Sequence, residues 1–144
     1  MGAEQKAAEL GISFPTKEKG YLNLCVRSGN LLLTSGHVSD IKGKLGAGLS
    51  VEQGYQAARE CAVKVLQSVR QAHGTLDGLR VLKLLGCVNS APDFTDQHLV
   101  VNGASDLLVD VLGEAGRHTR AALGSNALPR GCTVEVAAVL VVRR

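Results

Sequence analysis

The chain has 144 residues, of which 45% are hydrophobic and 20% are charged, a composition typical of one globular domain. Only 3% of the residues are aromatic and the net charge is +3, so neither a base-stacking platform nor a strong basic field for nucleic acid is expected. The longest apolar stretch, residues 134–142, contains Glu135 and is too short to span a bilayer. Neither nucleic acid nor a membrane is therefore an expected partner.

The cysteines and the N-terminus bear on the compartment and on cofactors. The four cysteines are widely spaced, with no C-x-x-C pair and no histidine at metal-ligand spacing: Cys25, Cys61, Cys87 and Cys132. We interpret them as buried thiols in a reducing compartment. The N-terminal segment carries acidic residues and has no apolar run of the kind found in a signal peptide. The sequence predicts a cytoplasmic protein with no metal and no other cofactor.

The first elements are a lead-in and a hairpin. Residues 1–20 are predicted to be an N-terminal lead-in with a short helix at 3–10, followed by one packed domain over 21–144. Strands are predicted at 22–27 and 31–35, because Ser28-Gly29-Asn30 between them is a turn sequence that tolerates positive φ.

A glycine-rich loop and a long helix follow. Glycines at 43, 46 and 48 are a feature of loops that bind phosphate through their backbone. The Gly-Lys-Ser/Thr ending of such a loop is absent here, so a flexible hairpin is favoured. Ser50 and Gln53 fit a capping box. Apolar residues then recur every three to four positions, which predicts an amphipathic helix over 51–73 that ends at Gly74.

The second half alternates strands and a helix. A strand is predicted at 79–88, and a helix is predicted from Asp93 or Phe94 to Leu112, with Gly113 as its stop. A short strand is predicted around 120–123 and a final one at 132–142. The order hairpin, helix, strand, helix, strand predicts an α+β fold, with both helices on one face of a mixed sheet.

Both faces of the predicted sheet are apolar. In the last strand Val134 and Val136 alternate with Ala137 and Val139, so neither side is polar enough to face water. Two helices cover only one face. The uncovered face predicts an obligate homo-oligomer.

Arg120 is the main candidate for chemistry, since a guanidinium stays charged and binds carboxylate or phosphate in a bidentate manner. An ion pair with Glu135 or Glu114 is an equally favoured explanation for its presence. His118 lies two residues away and shares the face of Arg120 if the segment is extended. Ser35, at a strand end before Gly36, is a weaker candidate for ligand contact.

Four ordered segments carry a family resemblance: LLLTSGH, VEQGYQAARECAVKVL, GCVNSAPDF and GRHTRAALGSNALPRGCTVEVAAVLVV. Together they resemble a divergent branch of the reactive-intermediate (enamine/imine) deaminase family, also called the YjgF or L-PSP endoribonuclease family. The resemblance implies a chorismate-mutase-like α+β fold and a homotrimer, with the sheets in a central barrel and ligand clefts between subunits.

The resemblance also assigns roles to residues. The family's carboxylate-binding arginine falls on Arg120, and its strand-end Ser-Gly falls on Ser35 and Gly36. Ala122 stands where the family has cysteine and offers its backbone N–H, while Tyr21 lies one residue out of register with the family's site tyrosine. The family glutamate that positions the attacking water falls on Ala137; Glu135 lies two residues earlier on the same strand.

Three functions follow in order of preference. The first is hydrolysis of enamine or imine forms of amino acids such as 2-aminoacrylate, with Arg120 binding the substrate carboxylate and His118 carrying protons. The second is binding of a small carboxylate metabolite without turnover. RNA cleavage is the least favoured, because the basic field is weak.

Overall fold

The computed structural model describes residues 2–143; Met1 and Arg144, the two ends of the predicted ranges, lie outside it. The helices are α1 (Ala3–Glu9), α2 (Val51–His73) and α3 (Gln97–Leu112). The strands are β1 (Cys25–Ser28), β2 (Leu31–Thr34), β3 (His37–Val38), β4 (Lys44–Leu45), β5 (Gly48–Leu49), β6 (Leu79–Asn89), β7 (Thr119–Ser125) and β8 (Val134–Val142). Short 3₁₀ turns occupy Gly113–Gly116 and Pro129–Gly131.

The main sheet is mixed. Its strand order is β1-β2-β8-β6-β7, and β3 also pairs with β8. All these pairs are antiparallel except β6 and β7, which are parallel. Helix α2 packs on β8, α3 packs on β6 and β7, and the two helices pack on each other. This is the predicted α+β architecture, with both long helices on one face of a mixed sheet.

The predicted bounds of α2 are confirmed because both ends carry strong signals. Ser50 Oγ accepts from Gln53 N and the Gln53 side chain accepts from Ser50 N, so the capping box is complete. Gly74 closes the helix at φ 98°, a conformation that favours glycine. The helix buries a small-residue face, including Ala58 and Ala62, against the sheet.

Other bounds differ from the predictions. Helix α3 starts at Gln97 rather than at Asp93 or Phe94, since Phe94 N donates to Ala91 O in a tight turn before the helix. Strand β1 begins at Cys25 instead of residue 22, and β8 begins at Val134 instead of residue 132. Residues flanking these strands bond to loops instead: Thr133 N, for example, donates to Ile41 O.

The two faces of the sheet differ in what covers them, since the long helices pack on only one face. In β8, the even positions from Val134 to Leu140 are buried beneath the helices, whereas the odd positions from 135 to 141 are only partly buried. We call the side without helices the open face. It carries large apolar side chains that are between 38% and 52% exposed: Val26, Leu31, Leu33, Leu85 and Leu123. An uncovered apolar face of this kind is what the strand pattern predicted.

The residues before Tyr21 also contact the core. Ala7 of α1 is fully buried and Ile12 is nearly so. Arg70 of α2 pairs with Glu4 at 2.8 Å and lies over the ring of Phe14. The division of the chain at residue 20 stays a prediction, because contacts alone do not show which part folds independently.

The four cysteines form no disulfides in the structure. Cys61 and Cys132 are buried, but Cys25 and Cys87 are only partly so. Burial raises the pKa of the Cys61 thiol well above its usual range. Within residues 2–143, the helices are all too short or too polar to cross a bilayer.

Candidate ligand-binding site around Arg120

Arg120 lies on the edge strand β7 and reaches toward α3. It pairs with Leu84, which pairs with Ala138 on the helix-bearing side of the sheet. Its NH1 donates to Asn102 Oδ1 at 2.8 Å and to Ser105 Oγ at 3.1 Å, and its NH2 donates to the His98 carbonyl at 3.4 Å. The guanidinium is therefore held in place by one face of α3.

The guanidinium keeps an unbalanced charge. Of its five N–H donors, these contacts engage three. The ion pairs within residues 2–143 are Lys64–Asp40 and Arg70–Glu4, so neither Glu135 nor Glu114 pairs with Arg120. The ion-pair explanation offered by the sequence is wrong, because Glu135 lies on the opposite face of the sheet from Arg120 and Glu114 is exposed in the 3₁₀ turn Gly113–Gly116. A partly buried, permanent cation with unused donors is suited to an external anion.

His118 joins Arg120 through a shared serine. Its Nδ1 lies 2.6 Å from the Gly116 carbonyl, which only accepts, so this nitrogen carries a proton. Its Nε2 lies 2.9 Å from Ser105 Oγ. When the His118 ring is neutral, the Ser105 hydroxyl donates to Nε2 of the ring and accepts from Arg120. The hydrogen bonds therefore run in one direction, from Arg120 through Ser105 to His118. These side chains line a shallow depression of about 210 Å³ together with Val109 and Arg117.

Ala122 lies two residues beyond Arg120 on the same side of β7, opposite Gly86 of β6. Tyr21 is placed quite differently. It precedes β1 and its side chain is fully exposed. Within one chain, the structure therefore groups Ala122 with Arg120 and His118 but leaves Tyr21 apart.

Ser35 and Gly36 form a second group at the end of β2. The Ser35 hydroxyl donates to Asn23 O at 2.7 Å, and its N–H donates to Leu24 O at 3.0 Å. Gly36 packs so tightly on Glu135 that a Cβ atom there would overlap the carboxylate. A side chain at position 36 would therefore require Glu135, the only acidic side chain of β8, to move.

The two groups are far apart in one chain. Strands β2 and β7 are separated by β8 and β6, and three interstrand spacings amount to about 14 Å. A small molecule that touches Arg120 cannot also reach Ser35 of the same chain. If both groups serve one ligand, they must come from different subunits.

Asn102 and Ser105 were missed by sequence reasoning. With His98 they occupy positions i, i+4 and i+7 of α3, a polar stripe on a helix that is otherwise rich in leucine and valine. The stripe was visible, but which strand it meets depends on how α3 is rotated against β7.

A buried histidine, His37, holds the Ser35–Gly36 segment against α2 through hydrogen bonds. His37 Nδ1 donates to Ser35 O and Nε2 accepts from Ser68 Oγ, both at 2.7 Å. Burial lowers the pKa of His37; the bond to Ser35 O opposes this effect, and the charges of Lys17 and Lys64 add to it. The fold therefore favours the neutral ring.

Acidification should destabilise the protein through His37. Because its pKa is lower in the folded than in the unfolded chain, the unfolded state binds more protons below about pH 6.5. We expect the free energy of unfolding to fall as pH drops from 7.5 to 5.5, by up to about 1.4 kcal/mol per pH unit. Urea denaturation across this range measures the slope. The exposed-site control His98→Asn should keep the slope and His37→Asn should lose it; equal slopes in both variants would contradict this assignment.

Comparison with known proteins decides the family. A model described as "YjgF/chorismate_mutase-like, putative endoribonuclease" matches residues 6–140. The chain belongs to this family. The resemblance predicted from the sequence is thus confirmed, and so is the chorismate-mutase-like fold.

Relatives within the YjgF family span nearly the whole chain. Protein TCP17 of Trypanosoma cruzi is 45% identical over 141 residues, which cover 91% of this chain and 88% of that protein. The crystal structure of Atu1372 from Agrobacterium tumefaciens, a protein of unknown function, is 40% identical with a TM-score of 0.89, covering 97% of this chain and 92% of the other. Escherichia coli TdcF, solved with bound serine, is 20% identical with a TM-score of 0.58, covering 90% of this chain and 93% of the other. At that identity TdcF shares the fold alone.

Proposed function

We propose that this YjgF-family protein is a homotrimer that binds small carboxylate metabolites in clefts between subunits, and that it hydrolyses 2-aminoacrylate-type enamines and imines there. The observation that carries the proposal is Arg120, a fixed guanidinium with unused donors and no carboxylate partner among residues 2–143. The bound serine of TdcF is a small carboxylate of the proposed class.

Two features of the sheet support the assembly. The open face carries five large apolar side chains that water would otherwise contact. The Arg120 group and the Ser35–Gly36 group lie at separate strands, too far apart to share a ligand within one chain. A symmetric oligomer that covers the open face and brings β7 of one subunit to β2 of the next satisfies both.

The chemistry requires a carboxylate anchor and a proton carrier. In the imine form of 2-aminoacrylate, Arg120 holds the carboxylate while water adds to C2. The water proton passes through Ser105 to His118 Nε2, and the same route returns a proton to the nitrogen. The hydroxyl of the resulting carbinolamine then passes its proton to the nitrogen by the same route, the C2–N bond breaks as the C2=O bond forms, and pyruvate and ammonia are released. Proton transfer of this kind contributes about a hundredfold or more to the rate.

Binding without turnover is the second candidate, and Ala137 favours it. No carboxylate stands at that position to orient water, and Glu135 is packed against Gly36. Arg120 would bind the same carboxylates in either case, so only a turnover assay separates the two functions.

The decisive assay mixes the protein with freshly generated 2-aminoacrylate and follows pyruvate and ammonia. We expect release faster than in buffer alone, reduced about a hundredfold in His118→Asn and unchanged in the control His73→Asn, which lies at the end of α2 beside Arg27 of β1 and away from Arg120. Carboxylate binding without acceleration would establish the second candidate. Neither binding nor acceleration would reject both.

A further inference from the structure

A second hollow lies at the opposite edge of the sheet from Arg120. It has a volume of about 360 Å³, is open to solvent, and is lined by residues 17–19 and 22–25 on one side and by α2 on the other. We call it the Lys17 groove. Its volume is within the range of small-molecule sites, and it combines apolar walls such as Leu22 and Leu24 with polar Asn23 and Ser68.

Lys17 is fixed in this groove by α2. Its Nζ donates to Lys64 O at 3.0 Å and to Ser68 Oγ at 2.9 Å. The Gln71 side chain holds its backbone on both sides, accepting from Lys17 N at 2.7 Å and donating to Lys17 O at 3.0 Å. An ammonium group has three donors, so one donor of this immobilised cation remains for another partner.

Lys17 forms no ion pair within residues 2–143, although the exposed carboxylate of Glu18 also lines the groove. The two ion pairs within residues 2–143 are Arg70–Glu4 and Lys64–Asp40. Burial lowers the pKa of Lys17 and the nearby charge of Lys64 lowers it further. An anion beside Lys17 would offset both effects.

The groups behind Lys17 repeat the order found behind Arg120. Ser68 accepts from Lys17 and donates to His37, whose other nitrogen donates to the carbonyl two residues earlier. At the other site Ser105 accepts from Arg120 and His118 donates to Gly116, again two residues earlier. In each case a cation at a surface hollow is held by a serine that a histidine orients.

We propose that the Lys17 groove is a second anion-binding site, in which the Lys17 ammonium binds a carboxylate or phosphate group of a small metabolite. The groove adjoins the Ser35–Gly36 segment through Ser68 and His37, but the proposal does not depend on the function proposed for Arg120, since its test is carried out without that side chain. The competing explanation is that Lys17 only ties the lead-in to α2, in which case added anions would leave the groove unaffected.

The test uses the Arg120→Ala protein, so that the first site is disabled. Backbone amide NMR signals are followed while inorganic phosphate or pyruvate is added, with sodium chloride keeping the ionic strength constant. We expect saturable shifts at Lys17, Ser68 and Gln71. Saturation by phosphate alone, by pyruvate alone or by both identifies the anionic group that the groove accepts.

Variants then assign the binding to Lys17. Adding Lys17→Met should weaken the affinity at least about tenfold, since it removes a charge-assisted bond. Lys17→Arg should retain most of the binding. Lys19→Met, which removes the same charge from an exposed position in the groove wall, should change affinity less than about twofold. Absence of saturable shifts with either anion would overturn the proposal, and so would equal affinities in the Lys17→Met and Lys19→Met proteins. If the Lys17→Met protein does not fold, the residues whose signals shift in the Arg120→Ala protein decide the question. Saturable shifts at Lys17, Ser68 and Gln71 support the proposal, and shifts confined to other residues overturn it.

Discussion

Arg120→Ala is expected to weaken binding of small carboxylates by at least about 30-fold. The substitution removes the charge-assisted hydrogen bonds to the ligand, a loss of about 2 kcal/mol. It leaves the fold intact, because Arg120 is only partly buried and its partners Asn102 and Ser105 then bond to water. Calorimetric titration with serine and with pyruvate measures the change.

The matched control is Arg117→Ala. Arg117 lines the same depression and carries the same charge, but it is exposed and its side chain makes no hydrogen bond within residues 2–143. Its loss should change affinity less than about threefold, the scale of a screened surface charge. Equal losses in the two variants would mean that the general field attracts the ligand and that Arg120 has no specific role.

Leu85→Asp is expected to convert the protein from a species of about 45 kDa, three times the 15.0 kDa chain, to a single chain. Leu85 lies on the open face between Ala121 and Ala137 and is 38% exposed in one chain. A carboxylate there tolerates solvent but not burial against a neighbouring apolar sheet. Analytical ultracentrifugation measures the mass.

Gln56→Asp serves as the control, since it adds the same charge at an exposed position of α2, away from the open face. It should leave the mass at about 45 kDa. Circular dichroism should show folded protein in both variants. A wild-type mass of 15.0 kDa would remove the basis for a site shared between subunits.

The parts of the fold that follow from local chemistry were predictable. The bounds of α2 come from a capping box at Ser50 and a glycine at Gly74, and both signals act within a few residues. The apolar open face was predicted from the number of helices, because two helices cannot cover both sides of a sheet whose strands are apolar throughout.

The parts of the fold that depend on packing were not predictable from the sequence. Several residues from Asp93 to Asp96 suit a helix start, and the turn at Ala91–Phe94 is what delays α3 to Gln97. The partners of Arg120 depend on which face of α3 meets β7. The sequence suggested Glu135 or Glu114, whereas the structure provides Asn102 and Ser105.

A crystal structure with bound serine tests the central claim most directly. We expect a trimer in which the serine carboxylate is within hydrogen-bonding distance of Arg120 of one subunit, and in which Ser35 and Gly36 of the next subunit line the same cleft. A carboxylate bound away from Arg120, or an Arg120 side chain that faces open solvent far from every neighbouring subunit, would contradict the account.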